Sequence, residues 1–129
     1  MDDANLILVA KLAREKAYAP HSKFAVGAAL LGRSGRVFTG CNIENVSFGL
    51  TICAERVCVG TAIQQGENEF LSIAIVSLSS IPIIPCGACR QVLAEFAPDL
   101  RVICATLEGV QMEYSLSALL PLPRQGILN

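Results

Sequence analysis

Two short cysteine motifs constrain what this chain can fold into more than any other feature. Cys53 stands two residues before Glu55 where an apolar-periodic run begins, and farther along Pro85 precedes Cys86 and Cys89. A helix that begins near Pro85 carries both of these cysteines on one face, because residues three apart lie on the same side of a helix. Three protein ligands leave the fourth position of a tetrahedral zinc ion open for water. The motifs therefore predict two helix starts that meet at a catalytic zinc site, with Glu55 as the proton carrier.

The charge of such a site also points to a role for the neighbouring arginine. Unpaired N–H groups and the helix dipole favour negative charge at a helix start, and thiolate is the form of cysteine that binds zinc. Three thiolates around one Zn²⁺ carry a net negative charge, which weakens the pull of the metal on water. Arg56 follows Cys53 by three residues and lies on its side of the helix. We expect Arg56 to donate hydrogen bonds to thiolate sulfur and to offset this charge.

Composition excludes several classes of protein. The chain has 129 residues, of which 53% are hydrophobic and 16% charged, so we expect one compact domain over residues 1–129. No apolar run is long enough for a membrane helix, and the acidic N-terminus does not resemble a signal peptide. These features predict no membrane partner and a cytoplasmic location. A net charge of -1 without a cluster of Lys or Arg argues against nucleic acid as a partner.

Apolar spacing and turn residues predict an alternation of helices and strands. Helices are expected over residues 2–17, 53–65, 86–96 and shortly after 115, and strands over 24–31, 37–42, 71–77, 101–106 and 110–114. One face of the second helix is expected to carry Ala54, Val57, Cys58 and Thr61. This order of elements predicts a mixed sheet with helices packed on its faces.

The chain has three further cysteines and a single histidine. Free cysteine commonly behaves as a small buried hydrophobe, which is the role predicted for Cys41, Cys58 and Cys104. Cys41 immediately precedes Asn42 and points to the opposite face of the strand, so it is a poor ligand candidate. His21 lies in the loop after Pro20, where a surface or interface position is expected.

The motifs together resemble those of the zinc-dependent cytidine deaminases of the small, homotetrameric, three-cysteine type. The resemblance rests on residues 53–56 (Cys-Ala-Glu-Arg) and 85–91 (Pro-Cys-Gly-Ala-Cys-Arg-Gln). It extends to residues 18–24 (Tyr-Ala-Pro-His-Ser-Lys-Phe) and 40–45 (Gly-Cys-Asn-Ile-Glu-Asn), and covers the chain from the first helix to about Pro121. It implies a three-layer α/β/α fold with a five-stranded mixed sheet, helices on both faces, one Zn²⁺ per subunit and a homotetramer.

The resemblance also implies a reaction and the residues that perform it. Cytidine and 2′-deoxycytidine are converted to uridine and 2′-deoxyuridine plus ammonia by zinc-bound hydroxide, as in pyrimidine salvage, with Glu55 as proton shuttle. Zinc is held by three cysteines, namely Cys53, Cys86 and Cys89. Phe24 packs against the nucleoside, and the backbone N–H of Ala54 binds the base carbonyl. Both ribose hydroxyls are bound by side chains, namely those of Asn42 and Glu44.

The chain departs from this family at three places. The family commonly has tyrosine at the positions of His21 and Phe48, and often supplies a phenylalanine from the C-terminal tail to a neighbouring subunit's substrate. Residues 122–126 of this chain (Leu-Pro-Arg-Gln-Gly) contain no aromatic residue. The resemblance therefore implies a substrate site without that stacking contact.

Three other functions remain open from the sequence. The first is deamination of another amino-pyrimidine nucleoside or of a nucleoside-like antibiotic. A deaminase that edits RNA or DNA needs a basic groove, which the charge balance disfavours. A third alternative, from a different class, is a non-catalytic structural zinc module closed by a fourth thiolate. A carboxylate at the ribose repels an attached phosphate, so Glu44 favours a free nucleoside.

Overall fold

The computed structural model of the chain describes residues 1–125. Its helices are α1 (Asp3–Arg14), α2 (Ala54–Gln64), α3 (Gly87–Phe96) and α4 (Leu116–Leu119). Its strands are β1 (Val26–Gly32), β2 (Val37–Cys41), β3 (Phe70–Ser77), β4 (Arg101–Thr106) and β5 (Gln111–Ser115). A short 3₁₀ helix, Phe48–Leu50, lies in the loop before α2. The predicted order of elements is confirmed, and their ends agree within a few residues.

The five strands form one mixed sheet in the order β2-β1-β3-β4-β5. β1 is antiparallel to β2 and β3, and β5 is antiparallel to β4. β3 and β4 are parallel, which requires a crossover connection, and α3 lies in that connection. α2 immediately precedes β3 and α3 follows it, so β3 connects the two helices.

Helices cover both faces of the sheet, which confirms the predicted three-layer architecture. On one face α1 contributes Leu6 and Ala10 to a small core with β1, β3 and β4. On the other face α2, α3 and α4 pack on the same strands in a larger core. β1, β3 and β4 are therefore buried almost throughout, which explains their continuous apolar sequences.

The buried face of α2 differs from the predicted one. Its buried residues are Ala54, Glu55, Cys58, Val59 and Ala62, whereas Val57 and Thr61 are only half-buried. Val57 lines a groove that α2 shares with α1 and β2. The helix is thus rotated relative to the prediction, and the rotation directs Glu55 into the protein.

Close backbone packing sets the position of α2. A Cβ atom on Gly40 of β2 would lie 2.4 Å from the carbonyl oxygen of Ala54, so only glycine allows this approach. At the other end Gly66 has a φ of +87°, the left-handed conformation that ends many helices. Within residues 1–125, none of the helices has the length and apolar character needed to cross a membrane.

Candidate active site

The starts of α2 and α3 bring three cysteine sulfurs together. Cys53 is the residue before α2 and Cys86 the residue before α3, both with extended backbone, while Cys89 lies in the first turn of α3. The Cys86 sulfur is 3.9 Å from that of Cys53 and 3.5 Å from that of Cys89. All three sulfurs lie within 4.8 Å of one another. This is the convergence of helix starts that the motifs predict.

The chemistry of this sulfur cluster fits zinc. Thiolates are preferred zinc ligands, and three of them leave one position of a tetrahedral ion open. Among residues 1–125, the group of potential metal ligands has these three members and no fourth. Cys58 and Cys104 are fully buried elsewhere, as predicted, whereas Cys41 is only half-buried, contrary to the prediction. The arrangement is therefore that of an open site, not of a closed structural one.

Hydrogen bonds make one of the thiols strongly acidic. The neighbouring Cys89 thiol and the hydrogen bond from the Arg56 guanidinium stabilise the Cys53 thiolate and lower the pKa of Cys53 to about 5. The pKa of Cys89 is raised, because its thiol lies beside the Cys53 thiolate and is buried. Zinc binds the thiolate form, so a metal ion must displace the proton that Cys89 holds.

Arg56 lies where the sequence predicts it. Its Nη2 donates to the Cys53 sulfur at 3.5 Å and to the backbone oxygen of Thr51 at 3.2 Å. Contact with thiolate raises the pKa of the guanidinium further, so Arg56 carries a positive charge beside the cluster. Its Nε is the one buried side-chain nitrogen or oxygen of the described residues that has no hydrogen-bond partner.

Glu55 lies in the first turn of α2, and only 4% of it is exposed. Burial is the main reason that its pKa is raised, and the neighbouring Cys53 charge adds to the effect. The pKa is about 7, close to neutral pH. A carboxyl group with such a pKa is suited to accept and return protons under ordinary conditions.

A cavity of about 230 Å³ opens in front of the sulfur cluster. Its walls bring together most of the predicted site residues, namely Phe24, Asn42, Glu44, Cys53, Ala54, Glu55 and Cys86. Cys89 and Arg56 do not line it and lie behind the wall. A larger groove of about 350 Å³ runs between α1, β2 and α2, but no predicted site residue lines it. The chemistry therefore identifies the smaller cavity as the site.

Asn42 and Glu44 have a structural role that sequence reasoning missed. Asn42 accepts from the Val26 backbone N–H at 2.9 Å and donates to the Phe24 backbone oxygen at 2.8 Å. Glu44 accepts from the backbone N–H groups of His21 and Ser22, and from the Ser22 hydroxyl. Both residues thus hold the segment that carries Phe24. A carboxylate offers about four acceptor positions, so Glu44 keeps one for a ligand.

The structure adds residues to the cavity that the sequence did not single out. Ser22 lines the wall, and its hydroxyl also accepts from the Phe24 backbone N–H at 3.0 Å. Ile83 and Ile84 form an apolar wall from the irregular segment before α3. The only signal for Ser22 was its place within the segment on which the resemblance rests, and the two isoleucines have no periodicity that would reveal them.

Two of the departures from the family pattern lie side by side. The rings of His21 and Phe48 meet edge to face, with centroids 6.2 Å apart, and both residues are exposed. The third departure is described only as far as residue 125, and Gly126 lies outside the described residues. Gln91 donates to the backbone oxygen of Pro123 at 2.9 Å, which holds the described part of the tail on α3.

Comparison with known proteins agrees with this geometry. The family model for the cytidine and deoxycytidylate deaminase zinc-binding region matches residues 1–106. The chain belongs to this family. The family and the zinc cofactor predicted from the cysteine motifs are thereby confirmed.

Individual relatives cover nearly the whole chain. A cytidine deaminase from Halalkalibacterium halodurans is 49% identical over 122 residues, which are 94% of this chain and 92% of that protein. The crystal structure of cytidine deaminase from Burkholderia pseudomallei has a TM-score of 0.91 and 48% identity, covering 94% of this chain and 98% of the other. A blasticidin-S deaminase from Bacillus cereus is 30% identical over 109 residues, 78% of this chain and 77% of that protein. The deaminase fold is therefore shown by sequence and structure alike.

Proposed function

We propose that this protein converts cytidine and 2′-deoxycytidine to uridine and 2′-deoxyuridine, with water consumed and ammonia released. The observation that carries the proposal is a single cavity with the sulfur cluster and Glu55 at one end and Phe24 and Glu44 on its walls. The cavity thus combines metal ligands and a proton carrier with groups suited to a base and a sugar. The cytidine deaminases with nearly half of their residues identical support the same substrate.

Cys53, Cys86 and Cys89 would hold one zinc ion per chain. Zinc bound there supplies Lewis-acid activation of water near neutral pH. Arg56 offsets the negative charge of the three thiolates from its position beside Cys53. The chain thereby keeps the cluster ionised without leaving it strongly anionic.

Glu55 is the proposed proton carrier. It lines the cavity next to two of the cluster's cysteines, and its burial keeps bulk water away from the carboxyl. In the proposed reaction it takes a proton from the attacking water and passes it to pyrimidine N3. It then takes the remaining proton from the oxygen added at C4 and delivers it to the amino nitrogen, so that the C4–N bond breaks and ammonia leaves.

The remaining wall residues are proposed to orient the nucleoside. Phe24 contacts the base, and the Ala54 N–H, which has no intrahelical partner at the first position of α2, donates to the base carbonyl. Asn42 and Glu44 contact the ribose hydroxyls with the hydrogen-bonding capacity that the segment 21–26 leaves free. The same contacts fix their side chains before substrate arrives, which reduces the entropy lost on binding.

The charge of the cavity favours a nucleoside over a nucleotide. Its lining, which falls wholly within residues 1–125, contains Glu44 and Glu55 and no lysine, arginine or histidine. The pKa of Glu44 is lowered, chiefly by the Ser22 hydroxyl, so this carboxylate is ionised at neutral pH. A phosphate on the sugar would meet negative charge without a cationic partner. We therefore propose cytidine, and not deoxycytidylate, as the substrate class.

A second candidate is a nucleoside-like antibiotic that carries an aminopyrimidine. It is favoured by the 30% identity with a blasticidin-S deaminase. The higher identity with cytidine deaminases ranks it second. Parallel assays with cytidine, deoxycytidine, deoxycytidylate and blasticidin S would rank the substrates directly.

Assembly, domain extent and location belong to the same proposal. We propose that residues 1–129 form one catalytic domain and that four copies assemble. Support for assembly comes from exposed apolar side chains beside the site, with Val46, Phe48 and Leu50 exposed by 83%, 70% and 67%. Such a concentration of apolar surface is typical of an interface. The cytoplasmic location stays a prediction.

The experiment that tests the function follows the ultraviolet absorbance of cytidine in the presence of wild type and Glu55→Gln, with zinc measured on both. We expect zinc in both proteins, uridine from wild type, and a rate at least about 10²-fold lower for the variant. Glu67→Gln is a matched control, because Glu67 is also buried but binds Ser34 and Arg36 away from the cavity. Zinc-loaded wild type that leaves cytidine unchanged would show the proposal to be wrong.

A further inference from the structure

The segment that delivers Cys86 to the site has little backbone support. Residues 78–85 connect β3 to α3 without regular structure, and both prolines in it, Pro82 and Pro85, lack an N–H group. Within the described chain, residues 82–85 make a single hydrogen bond, from the Arg90 Nε to the Pro85 backbone oxygen at 2.8 Å. The peptide that immediately precedes Cys86 is therefore anchored by one side chain.

Arg90 binds a second carbonyl with the same guanidinium. Its Nη1 donates at 3.1 Å to the backbone oxygen of Leu119, the last residue of α4. This carbonyl has no partner within its own helix. Arg90 is half-buried, and its planar guanidinium joins residues 82–85, which precede Cys86, to the C-terminal part of the fold.

The other metal-binding motif has the same arrangement. Arg56 donates to the backbone oxygen of Thr51, five residues earlier and two before Cys53. Arg90 likewise donates to a carbonyl five residues earlier, directly before Cys86. In each motif an arginine at the start of the helix fixes the backbone that places the cysteine before that helix.

We propose that Arg90 is a positioning residue for Cys86, which holds the cysteine's backbone so that its sulfur meets those of Cys53 and Cys89. The inference rests on the proposed function in that it takes these cysteines to hold zinc. Arg90 contacts no cluster sulfur itself, and acts by keeping the third ligand in place. Its loss lets Cys86 leave the metal more often, so that zinc escapes faster.

Zinc release measures this role without any substrate. Zinc-loaded wild type, Arg90→Met and Gln91→Met are mixed with a large excess of a chromogenic chelator, and the rate of zinc transfer is recorded. Gln91 is the matched control, because it is the next residue of α3. It hydrogen-bonds the backbone of Pro123 but makes no hydrogen bond to residues 82–85, which precede Cys86. We expect release from Arg90→Met to be faster by about tenfold or more, as for other groups that orient metal ligands, and release from Gln91→Met to stay near wild type.

The outcomes separate positioning from general support of the fold. Equal release rates for Arg90→Met and Gln91→Met would overturn the inference, whatever the deaminase activity of the two. If Arg90→Met fails to fold, Arg90→Lys decides, since one ammonium cannot hold both carbonyls in the geometry of the guanidinium. If Arg90→Lys releases zinc at the wild-type rate, the proposal is overturned. If it releases zinc faster than wild type, the proposal is supported. A wild type that holds no zinc would overturn both this inference and the metal site, whereas zinc without deamination would count only against the proposed reaction.

Discussion

At the scale of single residues, the carboxylate of Glu44 organises the loop between α1 and β1. It accepts from two successive backbone N–H groups and from the Ser22 hydroxyl. The next residue, Lys23, has a φ of +62°, a conformation that non-glycine residues seldom adopt. The hydrogen bonds to Glu44 help to hold this strained turn, and through it Phe24 reaches the cavity.

Stability should depend on the ionisation of Glu44. Its folded pKa lies below the ordinary value of 4.5, so its stabilising effect is complete above that value and is lost as pH falls through the folded pKa. We expect metal-free Glu44→Gln to be less stable than metal-free wild type at pH 7. The difference in their free energies of unfolding should become smaller as the pH falls below about 4.5. Urea unfolding of both proteins at a series of pH values measures this difference.

Ser22→Ala is the companion variant for this series. It removes the hydroxyl that contributes most to the lowered pKa of Glu44. In the Ser22→Ala background, we expect the difference in free energy of unfolding between the protein with Glu44 and its Glu44→Gln variant to depend less on pH. With Ser22 present, a difference in stability between wild type and Glu44→Gln that stays the same at every pH would contradict the assigned role of the carboxylate.

At the scale of elements, the contact of α2 with β2 fixes the first helix start of the site. The backbone of α2 lies directly against Gly40, with the Ala54 oxygen and the Cys58 nitrogen 2.4 and 2.8 Å from where its Cβ would be. Backbone cannot move aside as a flexible side chain does. The residues of α2 that face the cavity therefore depend on a glycine in a neighbouring strand.

We expect Gly40→Ala to destabilise the protein by about 1–3 kcal/mol, because a methyl group there forces α2 away from the sheet. Gly60→Ala provides the opposite control, since Gly60 lies in the middle of α2, is exposed and has open space around its Cβ position. That variant should be more stable by roughly 0.5–1 kcal/mol, as alanine replaces glycine in a helix. Urea unfolding of both variants measures the two effects. Equal stability of Gly40→Ala and wild type would show that α2 shifts without cost.

At the scale of the whole molecule, the loop before α2 exposes more apolar surface than a lone subunit needs. Val46, Phe48 and Leu50 project from it, and Thr51 at its end lines the cavity. Assembly of identical chains through this loop would remove that surface from water and place a neighbour close to the substrate. That neighbour would then be placed to contact the substrate in the absence of the tail aromatic that residues 122–126 lack.

Phe48→Asp should weaken assembly, because it places a charge in the apolar surface that the proposed interface buries. We expect sedimentation of wild type at the mass of four chains and a shift of the variant toward smaller species at equal concentration. Phe48→Tyr keeps the ring and should sediment as wild type does. Wild type that sediments as a single chain would refute the proposed tetramer.

The sequence by itself determined the order of the elements, the family and the group of three cysteines that could hold a metal ion. These depend on local signals, since apolar periodicity and turn residues act over a few positions and the cysteine motifs are contiguous. Local chemistry was enough to predict that Cys53 and Cys86 begin helices.

Only the tertiary structure decided which groups those elements bring into contact. The rotation of α2 that buries Glu55, the hydrogen bonds of Asn42 and Glu44 to residues 21–26, and the two carbonyls held by Arg90 all join segments far apart in the chain or follow from how they pack. Helical periodicity defines a stripe of apolar residues but not the partner on which it packs. A side chain that hydrogen-bonds a distant backbone leaves no periodic mark in the sequence, so its role appears only once the chain is folded.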